Sequence, residues 1–273
     1  MKTVALALLM IAVFACVAPQ ATEEKTPLVS TPGFTMKTQE KTYEDCVAGT
    51  EGCTYVRLDY PVLTEVPAGA EPVAESSSEA IRDFVFRPLK ERAEGEPPVK
   101  LVDEFIDDFS AFKEAEPRAA SGVWYLERKA FVLSNTESVL SLSLCERTYT
   151  GGAHGNETFH FESFDGRTGA PLTLDDVVAP GKRSELEALA EAAFRERHEL
   201  APDADLAEAG FSFEEGRFAL TENFAITAEG LVFYYNSYEV APYAFGATEI
   251  ELGWDELGGI VASRFAPATS AGT

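Results

Sequence analysis

Apolar residues recur along this chain at two spacings, one helical and one strand-like. The clearest helical stripe is Leu101, Val102, Phe105, Ile106, Phe109 and Phe112, with Asp103, Glu104, Asp107 and Asp108 on the opposite face. That pattern predicts an amphipathic helix with a solvated acidic side rather than a cation site. Ser76-Ser77-Ser78 offers caps ahead of Ile81, Phe84, Val85 and Leu89, a second helix that Pro88 kinks or ends. Ser184-x-x-Glu187 reads as a capping box for a third, which turns Leu186, Leu189, Ala190, Ala193 and Phe194 inward.

Alternating runs predict strands. They are Lys41–Tyr43, Tyr55–Tyr60 ending at Pro61, Trp124–Leu126, Phe131–Leu133, Val139–Cys145 and Glu157–Phe164. Phe211–Phe213, Asn223–Thr227 and Leu231–Tyr235 follow, the last two joined by a turn at Ala228-Glu229-Gly230. Asp165-Gly166 is a strong turn signal. No repeat is present. Helices and strands alternate irregularly, so the expected class is α+β: a mixed, mainly antiparallel sheet with packed helices in two closely associated subdomains.

The richest chemistry lies in Tyr149-Thr150-Gly151-Gly152-Ala153-His154-Gly155-Asn156, a loop between two predicted strands. Glycines let the backbone bend and a ligand approach closely. His154 either contacts a ligand or holds its own turn by a hydrogen bond. The tract lacks the lysine and the strand-to-helix context of a phosphate loop. A second aromatic ladder, Phe233 to Tyr243, points Phe233 and Tyr235 inward and Tyr234 outward, and exposed tyrosines there suit a sugar or a protein. The candidate ligand-binding set is therefore Tyr149, Gly151, Gly152, His154, Asn156, Tyr238 and Tyr243. His160 is placed on a sheet face. His198 is placed at a helix end, where a cation suits the dipole. Three scattered histidines argue against zinc, and no cofactor is implied.

The ends and the composition narrow the setting. Lys2, the apolar run Val4–Phe14 and small Ala15 read as an export signal, too short for the ~20 residues of a membrane span. Val13-Phe14-Ala15-Cys16 resembles a bacterial lipobox. It implies lipidation of Cys16 and, with Val17 next, sorting to the periplasmic face of the outer membrane; ordinary cleavage without lipid is the alternative. Residues 16–40, rich in Thr, Pro and Glu, read as a flexible tether. With 46 acidic against 22 basic residues the net charge is −24. That argues against nucleic acid or anionic lipid as a partner and would favour a basic protein, with solubility, or life in salt, the plainer explanation. Cys46 and Cys53 flank a turn-rich loop and predict a disulfide worth about 2–3 kcal/mol, with a metal pair as the weaker reading. Cys145 is left over as a free structural thiol.

A series of short motifs extends the reading. Asn135, Ser141-Leu142-Ser143-Leu144, Tyr149-x-Gly151-Gly152-Ala153-His154, Phe164-Asp165-x-x-Thr168-Gly169 and Leu172-x-Leu174-Asp175-Asp176-Val177 occur in order. Asn223-Phe224-x-Ile226, Gly230-Leu231-x-Phe233-x-Tyr235-Asn236-x-Tyr238-Glu239 and Ala241-Pro242-Tyr243-x-x-Gly246 complete it. The series resembles the RsiV-like extracytoplasmic domain, and Asp59-Tyr60-Pro61-x-Leu63 with the helix after it is similar to the PdaC-like module that precedes that domain. The resemblance divides the chain into a signal (1–15), a tether (16–40), a PdaC-like module (41–135), an RsiV-like domain (136–262) and a tail (263–273). It implies an envelope-facing module of undefined function, found alone, in a lysozyme-binding anti-sigma factor, and beside a peptidoglycan deacetylase. This chain lacks the anti-sigma and deacetylase segments. The expectation is a non-catalytic envelope lipoprotein that binds a protein, with lysozyme the partner suggested, or a cell-wall glycan. A peptidoglycan-acting enzyme using Asp165, Asp175, Asp176 and Glu239, or His154, is the rival, and a purely structural envelope protein the third reading.

Overall fold

A computed structural model of the protein describes residues 33–65, 71–89, 100–117 and 122–267. The expected signal, Cys16 and most of the tether lie outside these residues. The chain opens with β1 (Gly33–Thr42) and β2 (Tyr55–Glu65), an antiparallel hairpin whose connecting loop is closed by the Cys46–Cys53 disulfide. β1 thus begins inside the stretch read as tether, and β2 runs through Pro61 instead of ending there. Pro61 lies beyond the Tyr55–Asp59 stretch where β2 pairs with β3, so its missing N–H costs no bond to that neighbour.

Two helices follow, α1 (Glu71–Val85) and α2 (Leu101–Ala115). α1 stops before Pro88, as expected, but it starts before Ser76. The serines read as caps lie within the helix, and Ser78 Oγ donates to the Ala74 carbonyl at 2.8 Å. β3 (Tyr125–Asn135), β4 (Val139–Tyr149) and β5 (Asn156–Asp165) complete a five-stranded sheet in the order β1-β2-β3-β4-β5. Only β2 and β3 are parallel, because the helical crossover lies between them. One sheet face and the two helices share a core of Val56, Leu58, Ile81, Phe84, Phe105, Leu126, Leu142 and Leu144. The expected boundary at residues 135/136 falls in the β3–β4 hairpin of this one sheet.

Arg128 fixes the helical layer to the sheet. It is 2% exposed, on the core face of β3. Its Nε donates to Glu146 on β4 at 2.7 Å, and one terminal nitrogen donates to the Val85 and Arg87 carbonyls at 2.6 and 2.7 Å. It thereby satisfies carbonyls at the C-terminal end of α1, which have no partner within the helix.

The second unit contains α3 (Leu174–Val177), α4 (Arg183–Arg197) and a three-stranded antiparallel sheet of β6 (Phe224–Ile226), β7 (Gly230–Tyr235) and β8 (Thr248–Gly253). Leu186, Ala190 and Phe194 of α4 pack on Leu231, Phe233 and Tyr235. The capping box read at Ser184 does not form, since Ser184 sits inside the first turn and Glu187 pairs with Arg183 at 3.1 Å. Thr173 and Asp176 make the equivalent bond at α3, where the Thr173 N–H and hydroxyl both donate to the Asp176 carboxylate. Phe211–Phe213 is no strand but an irregular buried segment whose two phenylalanines fill the core around Phe194. β8 was not foreseen.

Two asparagines join the units. On the outer edge of β5, Phe159 N–H donates to Asn236 Oδ1 at 2.7 Å and Phe161 N–H to Asn223 Oδ1 at 2.6 Å. Asn223 Nδ2 and Asn236 Nδ2 return bonds to the Phe159 carbonyl at 2.9 and 3.0 Å. Side-chain amides thus stand in for a sixth strand. Ser141 and Ser163 share a hydrogen bond of 2.8 Å beneath them, and Ile226 N–H donates to Ser163 at 3.1 Å.

Asn223→Ala strips partners from backbone groups in this junction, each worth about 1–3 kcal/mol when left buried and unpaired. Denaturant titration should show a loss of roughly 2–4 kcal/mol, against less than about 0.5 kcal/mol for exposed Asn156→Ala.

Candidate functional site

The β4–β5 hairpin carries the glycine-bearing loop to the end of the first unit. Gly151 and Gly152 have φ of +105° and +102°, where an L side chain would be strained. Gly155 is needed for a different reason: a Cβ there would lie 2.6 Å from the Tyr125 hydroxyl. Tyr149 donates its hydroxyl to the Gly152 carbonyl at 2.9 Å, so this residue braces the turn. Its ring continues a ladder across the sheet, Tyr55–Tyr125–Tyr149, with centroids 6.0 and 5.9 Å apart. Asn156 opens β5 opposite Thr148 and is exposed.

His154 holds its own turn by a hydrogen bond and still presents its ring. Its Nδ1 lies 2.8 Å from the Gly155 carbonyl, and because a carbonyl only accepts, that nitrogen bears the proton. The ring is nevertheless exposed and stacks on Tyr243 at 5.2 Å, which in turn stacks on Tyr238 at 5.3 Å. Tyr238 and Tyr243 are 61% and 51% exposed, and Phe245 beside them is 48% exposed. The three offset rings form a ridge, with one ring from the first unit and two from the second.

Local backbone presents the two tyrosines. Tyr238 has φ +71°, a left-handed conformation that costs a tyrosine about 1–3 kcal/mol. The turn that holds it is tied by Asn236 N–H to Glu239 Oε2 at 2.8 Å and by Glu239 N–H to the Asn236 carbonyl at 3.0 Å. Tyr243 opens a single 3₁₀ turn, Tyr243–Phe245, after Pro242. Tyr234 corrects the expected outward ring. It is 7% exposed and packs between the units against Phe159 and Phe161.

The ridge thus unites His154, Tyr238 and Tyr243 from the expected set, while Tyr149, Gly151 and Gly152 support the loop beneath it. Phe245 was missed, though Tyr-x-Phe after a proline is an aromatic pair the sequence displays. Cys145 is not the free thiol expected; it is buried and disulfide-bonded.

The carboxylates of the rival reading are engaged in structure. Burial alone would raise Asp165, but N–H bonds from Arg167 and Thr168, with Arg264 nearby, hold it below the usual range. Hydrogen bonds from Thr173 lower Asp176. Asp175 pairs with Arg183 at 3.3 Å, and Glu239 ties its turn. Asp175 and Glu239 do line one cleft, together with Glu162 and His160. Among the described residues no group of three or more His, Cys, Asp or Glu side chains is placed to hold a metal ion.

Three shifts matter for stability. Burial, with Arg87 and Arg128 adding repulsion, drives His160 down to about 4. Burial and then Arg197 lower His198, which caps α4 as a neutral ring bonded to Thr248 at 2.9 Å, not as the helix-end cation expected. Burial, a bond to Glu251 and that neighbour's charge raise Glu249 on β8 to about 7.

The architecture is that of an α+β protein with two sheets whose halves share one exposed aromatic ridge. Residues 175–255 match the family described as "Protein of unknown function (DUF3298)", and residues 47–157 match the one described as "Deacetylase PdaC". These stretches are similar to a DUF3298 domain and to a PdaC-like module ahead of it. A DUF3298 family member from Bacteroides fragilis superposes with a TM-score of 0.64 at 21% identity, covering 86% of this chain and 96% of that one. A DUF3298 family protein from Pseudomonas aeruginosa PAO1 gives 0.59 at 23% identity, covering 86% and 97%. These likenesses show the fold. A search of curated proteins returned no match. His154 falls in the PdaC match, and Tyr238 and Tyr243 in the DUF3298 match. A PdaC-like module and a disulfide fit an extracytoplasmic, cell-envelope domain. No helix among the described residues is long and apolar enough to cross a membrane.

Glu249 gives a signed test. The folded chain holds a proton there that the unfolded chain releases near the ordinary glutamate range, so this group's stabilisation is present at low pH and is lost as pH rises toward and past 7. Glu249→Gln removes that dependence. Discounted for partial solvent exposure, the variant should gain roughly 1 kcal/mol on the wild type between pH 5 and pH 8, read as about 2–4 °C in Tm by calorimetry.

Proposed function

We propose that this protein is a non-catalytic, exported binding module that recognises a partner in the cell envelope through the His154–Tyr243–Tyr238 ridge. The observation that carries the reading is the ridge itself: stacked, exposed rings from both units, with a left-handed tyrosine at one end. Exposed aromatic clusters supply large, rigid contact area at small entropic cost, which is why they anchor interfaces. The preferred partner is a basic protein, with a muramidase such as lysozyme as first candidate. The chain's 46 acidic against 22 basic residues speed encounter with a cationic surface and aid discrimination against acidic ones. Cell-wall glycan, stacking on the outer ring faces, is the other ligand within this reading. Export to the periplasm or the cell surface would place the module where such partners are met.

The peptidoglycan-acting hydrolase or deacetylase reading draws on the cleft shared by Asp175 and Glu239. New fragments or freed acetate after incubation with peptidoglycan would replace the binding reading with that one. A purely structural role would show as alanine at Tyr149, His154 and Tyr243 altering stability and no interaction.

Immobilised protein should retain lysozyme saturably at about 150 mM salt, or co-sediment with insoluble peptidoglycan. Tyr238→Ala with Tyr243→Ala should weaken that retention at least tenfold while circular dichroism stays unchanged. Absence of saturable binding to both ligands overturns the proposal.

A further inference from the structure

A cleft of about 810 Å³ lies where the edge of β5 meets the second unit. Its first lip carries Arg87, His160 and Glu162, and its second Asp175, Arg183 and Glu222. Each lip holds an arginine–carboxylate contact of 3.4 Å, Arg87 to Glu162 and Arg183 to Glu222. Charge-assisted bonds of good geometry are shorter, about 2.7–2.9 Å. A guanidinium has five N–H donors. Among the described residues Arg87 directs one nitrogen at the Phe84 carbonyl and one at Glu162, so donors remain for a guest. Arg183 is more occupied, with Glu187 at 3.1 Å and Asp175 at 3.3 Å as well. The asparagines on the cleft floor are committed to β5 and offer little.

The charge pattern defines the guest. A simple anion would meet a carboxylate beside each arginine, and the chain's net charge of −24 repels it. A simple cation would meet two guanidiniums. A molecule carrying both signs satisfies each lip, its carboxylate on a guanidinium and its ammonium on Glu162 or Glu222. With carboxylates in excess, a guest with one more ammonium than carboxylate fits best. The volume lies within the ordinary range for ligand pockets and suits a short peptide better than a single amino acid. We propose that this cleft binds short peptides presenting a free carboxylate together with ammonium groups. His160, kept neutral by burial, and Glu162 lie on the same lip, so the anionic partner there is the carboxylate alone. The cleft and the ridge share the Asn236–Glu239 turn but no recognition residue.

Isothermal titration calorimetry of the exported chain with alanyl-lysine, its C-terminal amide and its diacetylated form provides the test. Alanyl-lysine should bind saturably at one site, and each modification should weaken it at least tenfold. Arg183→Gln and Glu162→Gln should each weaken it at least fivefold with unchanged circular dichroism, whereas Tyr243→Ala should leave it unchanged. No saturable heat, or an amide that binds as tightly as or more tightly than the free peptide, overturns the proposal. The second result would mean general attraction to an acidic surface. The peptide series on the unaltered chain decides the matter even where a variant fails to fold.

Discussion

The capping of the β5 edge by Asn223 and Asn236 is the interaction on which the rest depends. An edge strand presents alternating N–H and C=O groups that recruit other strands unless they are covered. Here the 2.6 and 2.7 Å bonds to the asparagine oxygens close that edge while fixing the second unit at one register along β5. Register matters because Asn236 also begins the turn that throws Tyr238 outward. A slip along β5 would move Tyr243 away from His154, and the ridge would separate into two unrelated patches. The same bonds hold the rims of the cleft opposite each other. Amides suit this task better than charges would, since they donate and accept at once and are indifferent to salt.

Arg128 performs the matching service on the first unit. A buried guanidinium is costly unless its donors are matched, and removing one partner is worse than replacing the pair. Glu146 supplies the countercharge and two helix-end carbonyls take further donors. The end of α1 is thereby pinned, and with it Arg87, whose side chain forms the first lip of the cleft. His160 stays neutral for the same reason, being enclosed beside two guanidiniums. A structural ion pair therefore sets the electrostatics of a neighbouring surface.

Much of this was legible in the residues. The α2 stripe, the β4–β5 hairpin with its glycine loop, the Cys46–Cys53 bridge and the β6–β7 turn all follow from periodicity and turn chemistry. His154, Tyr238 and Tyr243 were singled out separately, but nothing local says that they touch, because that contact depends on the docking of two units. The misreadings share a cause, which is that tertiary burial overrode local preference. Ser76–Ser78 are tolerated inside α1 because Ala80, Ile81, Phe84 and Val85 hold the helix to the core, and Ser77 is itself buried on that face. Phe211–Phe213 alternates like a strand but finds its partners in Phe194 and its neighbours instead of a ladder. Tyr234 looks outward from its own sheet and is covered by another. β8 has Thr248, Ile250 and Leu252 in strand alternation, yet Glu249 and Glu251 dilute the signal, since glutamate is depleted in strands.

Sharing the ridge between two units has a thermodynamic consequence. Rings that stack across the junction contribute to docking, so whatever binds the ridge binds the docked arrangement and not its separated halves. Ligand binding then stabilises the junction by mass action, without any change of shape. The acidic surplus acts in the opposite sense, because like charges favour expansion of the chain. A cationic partner seated on the ridge would relieve that repulsion as it covers the tyrosines. Electrostatic relief and ring burial would then reinforce one another at the same place. The left-handed Tyr238 is consistent with this arrangement, since strain kept in one exposed residue persists only where the surrounding turn over-determines it.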